Sequence, residues 1–352
     1  LKKSEAGIRH RILRITVLLL VLLFLVILIA VGIGAVFVSP LDIFKALLQW
    51  GGAILKKPVP PKVISIIMFI RLPRVITAAI VGLSLAVAGA SMQGLLRNPM
   101  ASPDILGVSA GGSLGAVIAI HTGLFTLSMF MLPLMAILGS LLASALIFLI
   151  ASNRGSTSLL FVIIAGMAVS SFLNGLISVV LLFSRQWEIS QFIFWTMGGL
   201  GGRSWGHVLL VLPFLVPAIT ILFLFSRELN LFMLGEESAF ATGLNVETVK
   251  RIILILSAVI TGLSVSISGT IGFVGLLVPH FFRLLLGNDY RLLLPVSALG
   301  GASFLVLCDL IGRVIVPPFE IRVGIITSLL GAPYLITMIL RYQKRGFIAF
   351  KV

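Results

Sequence analysis

Residues 105–153 read ILGVSAGGSLGAVIAIHTGLFTLSMFMLPLMAILGSLLASALIFLIASN, without one Asp, Glu, Lys or Arg. A helix crosses the hydrocarbon core of a bilayer with about 20 apolar residues. This run is too long for one span and must hold two, with Gly123 and Pro133 marking the turn. The rest of the chain follows the same pattern. Apolar residues make up 59% of the 352 and charged residues 11%, where a soluble domain would be about a quarter charged. The composition therefore predicts an all-α, polytopic membrane protein with no soluble domain.

Uncharged runs bounded by charge, Pro or Gly give ten spans. They lie near 15–38, 73–96, 105–122, 129–152, 158–183, 205–226, 251–269, 272–286, 292–312 and 323–341. Ser268–Gly272 breaks the apolar stretch 252–282 and leaves a short eighth span. The whole chain, 1–352, reads as one transmembrane domain whose first run is a retained anchor behind the basic segment 1–14. With the N-terminus inside, ten spans return the C-terminus inside. Ten of the 26 Lys and Arg then fall outside: Lys45, Lys56, Lys57, Lys62, Arg71, Arg74, Arg185, Arg203, Arg313 and Arg322. The remainder fall inside, which is the expected bias, yet so many outer cations call for a use.

The net charge of +15 is not a nucleic-acid footprint, because basic residues flank spans singly or in pairs. Cys308 stands alone, and the four histidines lack ligand spacing, so neither a metal site nor a cofactor is expected. There is no GxxxxGK[ST] phosphate loop and no HExxH or GxSxG, which argues against an enzyme.

Three segments stand out. Arg71-Leu72-Pro73-Arg74 is read as opening the second span, its Pro tolerated in a first helical turn; the arginines are interfacial anchors or a rigid pair of outward cations that capture carboxylates on a partner. Asp309 and Arg313 (DLIGR) form an i,i+4 pair at the end of the ninth span. Ser156 and Thr157 sit in the inside turn NRGSTS, as helix caps or as a narrow gate. The Pro-rich Lys56–Lys62 stretch reads as a non-helical outer loop. In the polar inside stretch 227–250, Gly235-Glu236-Glu237-Ser238-Ala239-Phe240-Ala241-Thr242-Gly243 predicts a short helix ended by Gly, and Asn245 a cap for a second one. Glycines at 82, 89 and 94, and at 107, 111 and 115, form packing faces. GLLRNP (94–99) weakly echoes GLLVPH (275–280), in the opposite sense through the membrane, as an inverted repeat would.

The run RLPR (71–74) followed by GLSLAVAGASMQGLLRNPMASPDILGVSAGGSLG (82–115) resembles the permease subunits of bacterial type II ABC importers for iron-siderophores, haem and cobalamin. GEESAFATG (235–243), SGTIGFVGLLVPHFFR (268–283), DLIGR (309–313) and FEIRVGIITSLLGAPY (319–334) complete the resemblance in order. It implies a permease without catalysis of its own, in the bacterial cytoplasmic membrane, pairing as a homodimer or with a close paralogue. It further implies two cytoplasmic ATP-binding subunits and an extracytoplasmic binding protein docking at Arg71, Arg74 and Arg313. Gly235, Glu236, Glu237, Ala239 and Gly243 would mark the ATPase coupling segment, and Ser156 and Thr157 the cytoplasmic gate. Arg322 stands where the family usually has Pro. The implied cargo is an iron(III)-siderophore-type chelate, with cobalamin or haem as the alternative. An ion-coupled secondary transporter is the rival class, and it would need a midplane carboxylate or broken-helix ion site.

Overall fold

The computed structural model describes residues 2–34, 37–54, 57–153 and 156–344, with side chains described between 13 and 340. Lys56, Arg154, Gly155, Arg345 and Lys351, and the side chains of Lys2, Lys3, Arg9, Arg11, Arg341 and Lys344, lie outside the described residues. The helices are α1 Lys2–Gly32, α2 Pro40–Trp50, α3 Pro61–Ser65, α4 Leu72–Leu95, α5 Val108–His121, α6 Met131–Ala151, α7 Leu159–Leu182 and α8 Gln186–Thr196. They continue as α9 Trp205–Leu224, α10 Ser226–Phe232, α11 Glu236–Ala241, α12 Val246–Ser268, α13 Val274–Leu286, α14 Tyr290–Val314 and α15 Val323–Lys344. Among the described residues, eight helical segments are long and apolar enough to cross a membrane, and α5 and α13 are shorter apolar helices. These fall on the ten segments expected from sequence.

Helix α4 is the centre of the bundle. Every residue from Ser84 to Leu95 is buried, and α1, α9, α12, α13 and α14 all pack on it. Lipid gives no hydrophobic drive for helix association, so close backbone approach has to supply the attraction. A Cβ on Gly89 would strike the carbonyl of Gly275 in α13, and one on Gly82 that of Gly301 in α14. The same device joins α5 to α6 through Gly111 and Gly139. Outward faces of α6, α7 and α9 carry exposed Leu138, Leu142, Phe161, Phe172, Leu209 and Phe214, apolar surface suited to lipid or to a partner helix.

Several sequence expectations change. Pro61 and Lys62 are helical, because Pro at the first position of α3 gives up an N–H that had no partner there. RLPR therefore does not open a span: α3 runs on through a π-helical turn, Ile66–Arg71, into α4. The π turn has a clear cause. The Leu72 N–H reaches back to the Ile67 carbonyl, and Pro73 has no N–H to give, so the Met68 carbonyl loses its helical donor. The indole N–H of Trp205 at the start of α9 donates to it instead at 2.8 Å. Asn245 caps the long α12 by accepting from the Thr248 N–H at 3.1 Å, not a separate short helix. Helices α2, α8 and α10 are additional.

Where the chain leaves helical geometry inside the bundle, the breaks satisfy one another. Gly269 (φ 70°) ends α12, and its neighbour Ser268 offers a carbonyl to the Gly199 N–H at 2.7 Å. The Thr270 hydroxyl donates to the Thr196 carbonyl at the end of α8, and the Gly324 N–H to the Gly198 carbonyl at 3.3 Å. Non-helical backbone at membrane depth survives only where protein or a wet cavity meets it.

Replacing Gly89 with Val should lower thermal stability in detergent by the upper end of the about 1–3 kcal/mol seen for overpacking, or more, since the clash is with backbone. Gly175→Val, where nothing lies within 4 Å of the new Cβ, should stay within about 0.5 kcal/mol of the parent. Equal losses at both positions would remove close approach as the basis of packing on α4.

Candidate functional site

One end of the bundle carries a charge network built from α1, α4 and α14. Arg74 donates to both oxygens of Asp309 at 3.0–3.1 Å and to Glu320 Oε2 at 2.8 Å. Asp309 is 3% exposed and is shared with Arg313, whose Nε lies 3.1 Å from Oδ2, at ion-pair distance without hydrogen-bond alignment. The expected Asp309–Arg313 pair is thus present as half of a three-residue unit. Arg71 differs from its expected outward pose. It is 6% exposed, and Nη1 donates to the carbonyls of Val31 and Gly32 at 2.8 and 3.0 Å. Arg313 reaches the same helix end, donating to Ala30 and Ile33 at 3.0 and 3.3 Å. The last carbonyls of α1 have no intrahelical donors, and cations at a helix C-terminus oppose its dipole. Both arginines point inward for that reason.

The same end holds two cations without an acid partner among the described residues. Arg203 has an Nε that is buried with no hydrogen bond. Burial and the neighbouring Arg322 push its guanidinium down to about 10. Arg322 lies 5.3 Å over the Phe194 ring, a cation–π contact. With Arg74, Glu320 and Phe194 it lines a cavity of about 270 Å³.

At the other end, β1 Ser152–Asn153 and β2 Ser156–Thr157 form a two-residue antiparallel hairpin, its strands tied by the Ser152 and Thr157 hydroxyls at 3.0 Å. Ser158, next along, caps α7, so the capping role falls to it and not to Ser156 or Thr157. The short α11 starts behind Gly235 (φ 108°) and stops before Gly243 (φ 84°), as its flanking glycines predict. Ala239 is buried while Glu237 and Phe240 face outward. Between hairpin and helix lies Lys250, 5% exposed, whose Nζ meets Glu236, Glu247 and the Thr157 carbonyl at 3.1, 3.3 and 2.9 Å.

The broken segments border an open cavity of about 550 Å³ lined by Asp104, Ser109, Thr196, Met197, Ile271 and Leu329, among others. The Asp104 carboxylate accepts from the hydroxyls of Ser102, at 3.0 Å, and Ser109; no basic side chain pairs with it among the described residues. The sequence places Asp104 between two spans and does not mark it as a lining residue. Glu320, Lys250 and Glu247 were also missed. ETVKR (247–251) does hold i,i+3 and i,i+4 acid–base pairs, so that signal was available; nothing local to Glu320 marks it. No group of His, Cys, Asp and Glu suited to a metal ion occurs among the described residues.

The fold is thus a bundle of apolar helices, interrupted beside an open cavity of mixed lining and carrying charge clusters at its two ends. The FecCD transport family matches residues 20–341, and the chain belongs to that family. It is 41% identical over 285 residues to the hemin transport system permease protein HmuU of Yersinia pestis, covering 78% of this chain and 83% of that one. It is also 41% identical over 303 residues to the cobalamin import system permease protein BtuC of Halobacterium salinarum, covering 86% and 79%. Among solved structures, it matches a metal-chelate type ABC transporter in an inward-facing conformation, with TM-score 0.82 and 32% identity over 93% of this chain and 99% of that one. The protein is a multi-pass permease of the metal-chelate type of ABC importer in the bacterial inner membrane, a family of membrane-embedded dimers with ATPase partners.

Changing Asp309 to Asn leaves two buried guanidinium groups without their shared carboxylate, so it should cost about 3–5 kcal/mol of stability in detergent. Glu320, 53% exposed, should tolerate Gln with a loss below about 1 kcal/mol. Comparable losses from both would mean that Asp309 is not the centre of the network.

Proposed function

We propose that this permease moves an iron(III)-siderophore-type chelate into the cytoplasm, driven by two cytoplasmic ATP-binding subunits and fed by an extracytoplasmic binding protein. The observation that carries the reading is the family match over nearly the whole chain, joined to a cavity whose lining mixes hydroxyls and one carboxylate with Met197, Ile271, Ile325 and Leu329. Such a lining holds a large complex weakly, which suits a passage more than a receptor. One observation favours a second cargo: relatives named for hemin and cobalamin are 41% identical, while one named for siderophore transport is 33% identical. Haem or cobalamin is therefore the alternative within the same mechanism.

In this reading residues 1–352 act as one transmembrane domain with both ends cytoplasmic, as a homodimer or with a paralogous permease. The Arg74/Asp309 end faces out, and residues 1–14 and 227–250 face the cytoplasm. The binding protein docks on the cluster of Arg71, Arg74 and Arg313. Arg71 and Arg313 shape it from behind by fixing the end of α1, and Arg74, Arg322 and Arg203 give it positive charge. Helix α11, with Gly235, Glu236, Glu237, Ala239 and Gly243, is the coupling element that sits on the ATPase. Ser156 and Thr157 form the cytoplasmic gate. ATP binding draws the coupling elements of the dimer together and opens the cavity outward; hydrolysis returns it inward.

Uptake by the reconstituted transporter should be tested with a ferric hydroxamate chelate, hemin and cobalamin side by side, with and without ATP. ATP-dependent uptake of the chelate above the other two supports the siderophore reading, preference for hemin or cobalamin selects the alternative, and uptake without ATP overturns the importer mechanism. For docking, Arg74→Glu should weaken binding-protein affinity by at least about tenfold, or roughly 1.4 kcal/mol. That loss should shrink with salt, since exposed charges are screened within about 8 Å at physiological ionic strength. Unchanged affinity at low salt would place docking elsewhere.

A further inference from the structure

Lys250 is a buried ammonium that serves three elements at once. Its own helix, α12, supplies Glu247 at 3.3 Å; α11 supplies Glu236 at 3.1 Å; and the hairpin supplies the Thr157 carbonyl at 2.9 Å. Glu247 doubles the tie to the hairpin, because its other oxygen accepts the Thr157 N–H. It also pairs with Arg251 at 3.2 Å. Both backbone polar groups of Thr157 are thus held by side chains of α12, and Thr157 itself is 1% exposed.

From this arrangement we propose that Lys250 is the positioning residue that makes α11 and the β1–β2 strand pair move as one body. A buried charge deprived of one partner is strongly destabilised, and a buried carbonyl without its donor costs about 1–3 kcal/mol. If α11 shifts alone, the Lys250 ammonium loses Glu236; if the hairpin shifts alone, it loses the Thr157 carbonyl. Each separation is penalised, so a displacement of α11 is transmitted to the hairpin and not absorbed between them. The sequence separation is 93 residues between Lys250 and Thr157, and nothing in the chain's local pattern ties the two. This inference rests on the coupling and gate roles proposed above and adds the physical link between them.

The test is a distance measurement by electron–electron double resonance in the reconstituted transporter with its ATPase. Spin labels go on the exposed Asn153 of the hairpin and Ser238 of α11, in a Cys308→Ala background. In the parent protein the distance should form a single population that is the same in the nucleotide-free and ATP-trapped states. Lys250→Met should broaden it and add a second population in at least one state, and Lys250→Arg should restore the single population. Glu236→Gln, at the more exposed partner, should broaden it to a smaller degree, and this variant carries the test if Lys250→Met does not purify folded. An unchanged distribution in Lys250→Met, or in Glu236→Gln where that variant stands in, overturns the link, as does a parent distance that differs between nucleotide states. A second label pair, from Ser238 to the far end of the bundle, reads whether ATP moves α11 at all. If it does not, the coupling role of α11 fails, whereas movement with an unaltered hairpin distance in the variants fails the Lys250 link alone.

Discussion

Backbone polar groups in a bilayer must find partners inside the protein, and the irregular parts of this fold are where that constraint is met. Five segments leave regular α-helix within the bundle: the π turn before Pro73, the loop 96–107, the end of α8, the break 269–273 and the start of α15. Three of them meet, with Ser268, Thr196 and Gly198 giving carbonyls to Gly199, Thr270 and Gly324. A fourth, the π turn, is closed by Trp205. Because these bonds cross between α8, α12 and α15, the helices cannot be rearranged one by one. The open cavity borders these breaks, and Thr196 and Thr270 add hydroxyls to its otherwise largely apolar lining.

Charge follows the same accounting. Lys250 and Asp309 are buried ions at the two ends, and each pairs with more than one side chain of opposite charge. Shared ions thus tie the elements together at both ends, and close glycine contacts hold the middle.

Much of this was legible in the sequence because membrane helices write themselves in long uncharged runs. The spans, the short eighth helix, α11 between its glycines and the i,i+4 pair of Asp309 with Arg313 all follow from local pattern. What local pattern could not reveal was direction and distance. Arg71 was read as outward because it flanks a Pro near a span end, yet the carbonyls that turn it inward belong to residues 31 and 32. Lys62 was read as loop because prolines crowd it, although a Pro at a first helical position begins a helix. Glu320 joins Arg74 across 246 residues, a relation that no spacing rule encodes.

Asp104 shows what local pattern leaves out about a cavity. From sequence it lies at a span boundary, where an acid is expected to meet water or a headgroup. In the fold it lines the same cavity as Thr196 and Thr270, held by two serine hydroxyls with no cation beside it among the described residues. An ion-coupled transporter would need such a carboxylate ringed by further oxygen ligands or paired with a second titratable group. Here the Asp104 neighbours are single hydroxyls, already committed as donors to it. One carboxylate so placed is a single charged point on a lining that also holds Ile271, Ile325 and Leu329. In the importer proposed above, where another protein captures the cargo and ATP drives the step, such a lining has no need to grip.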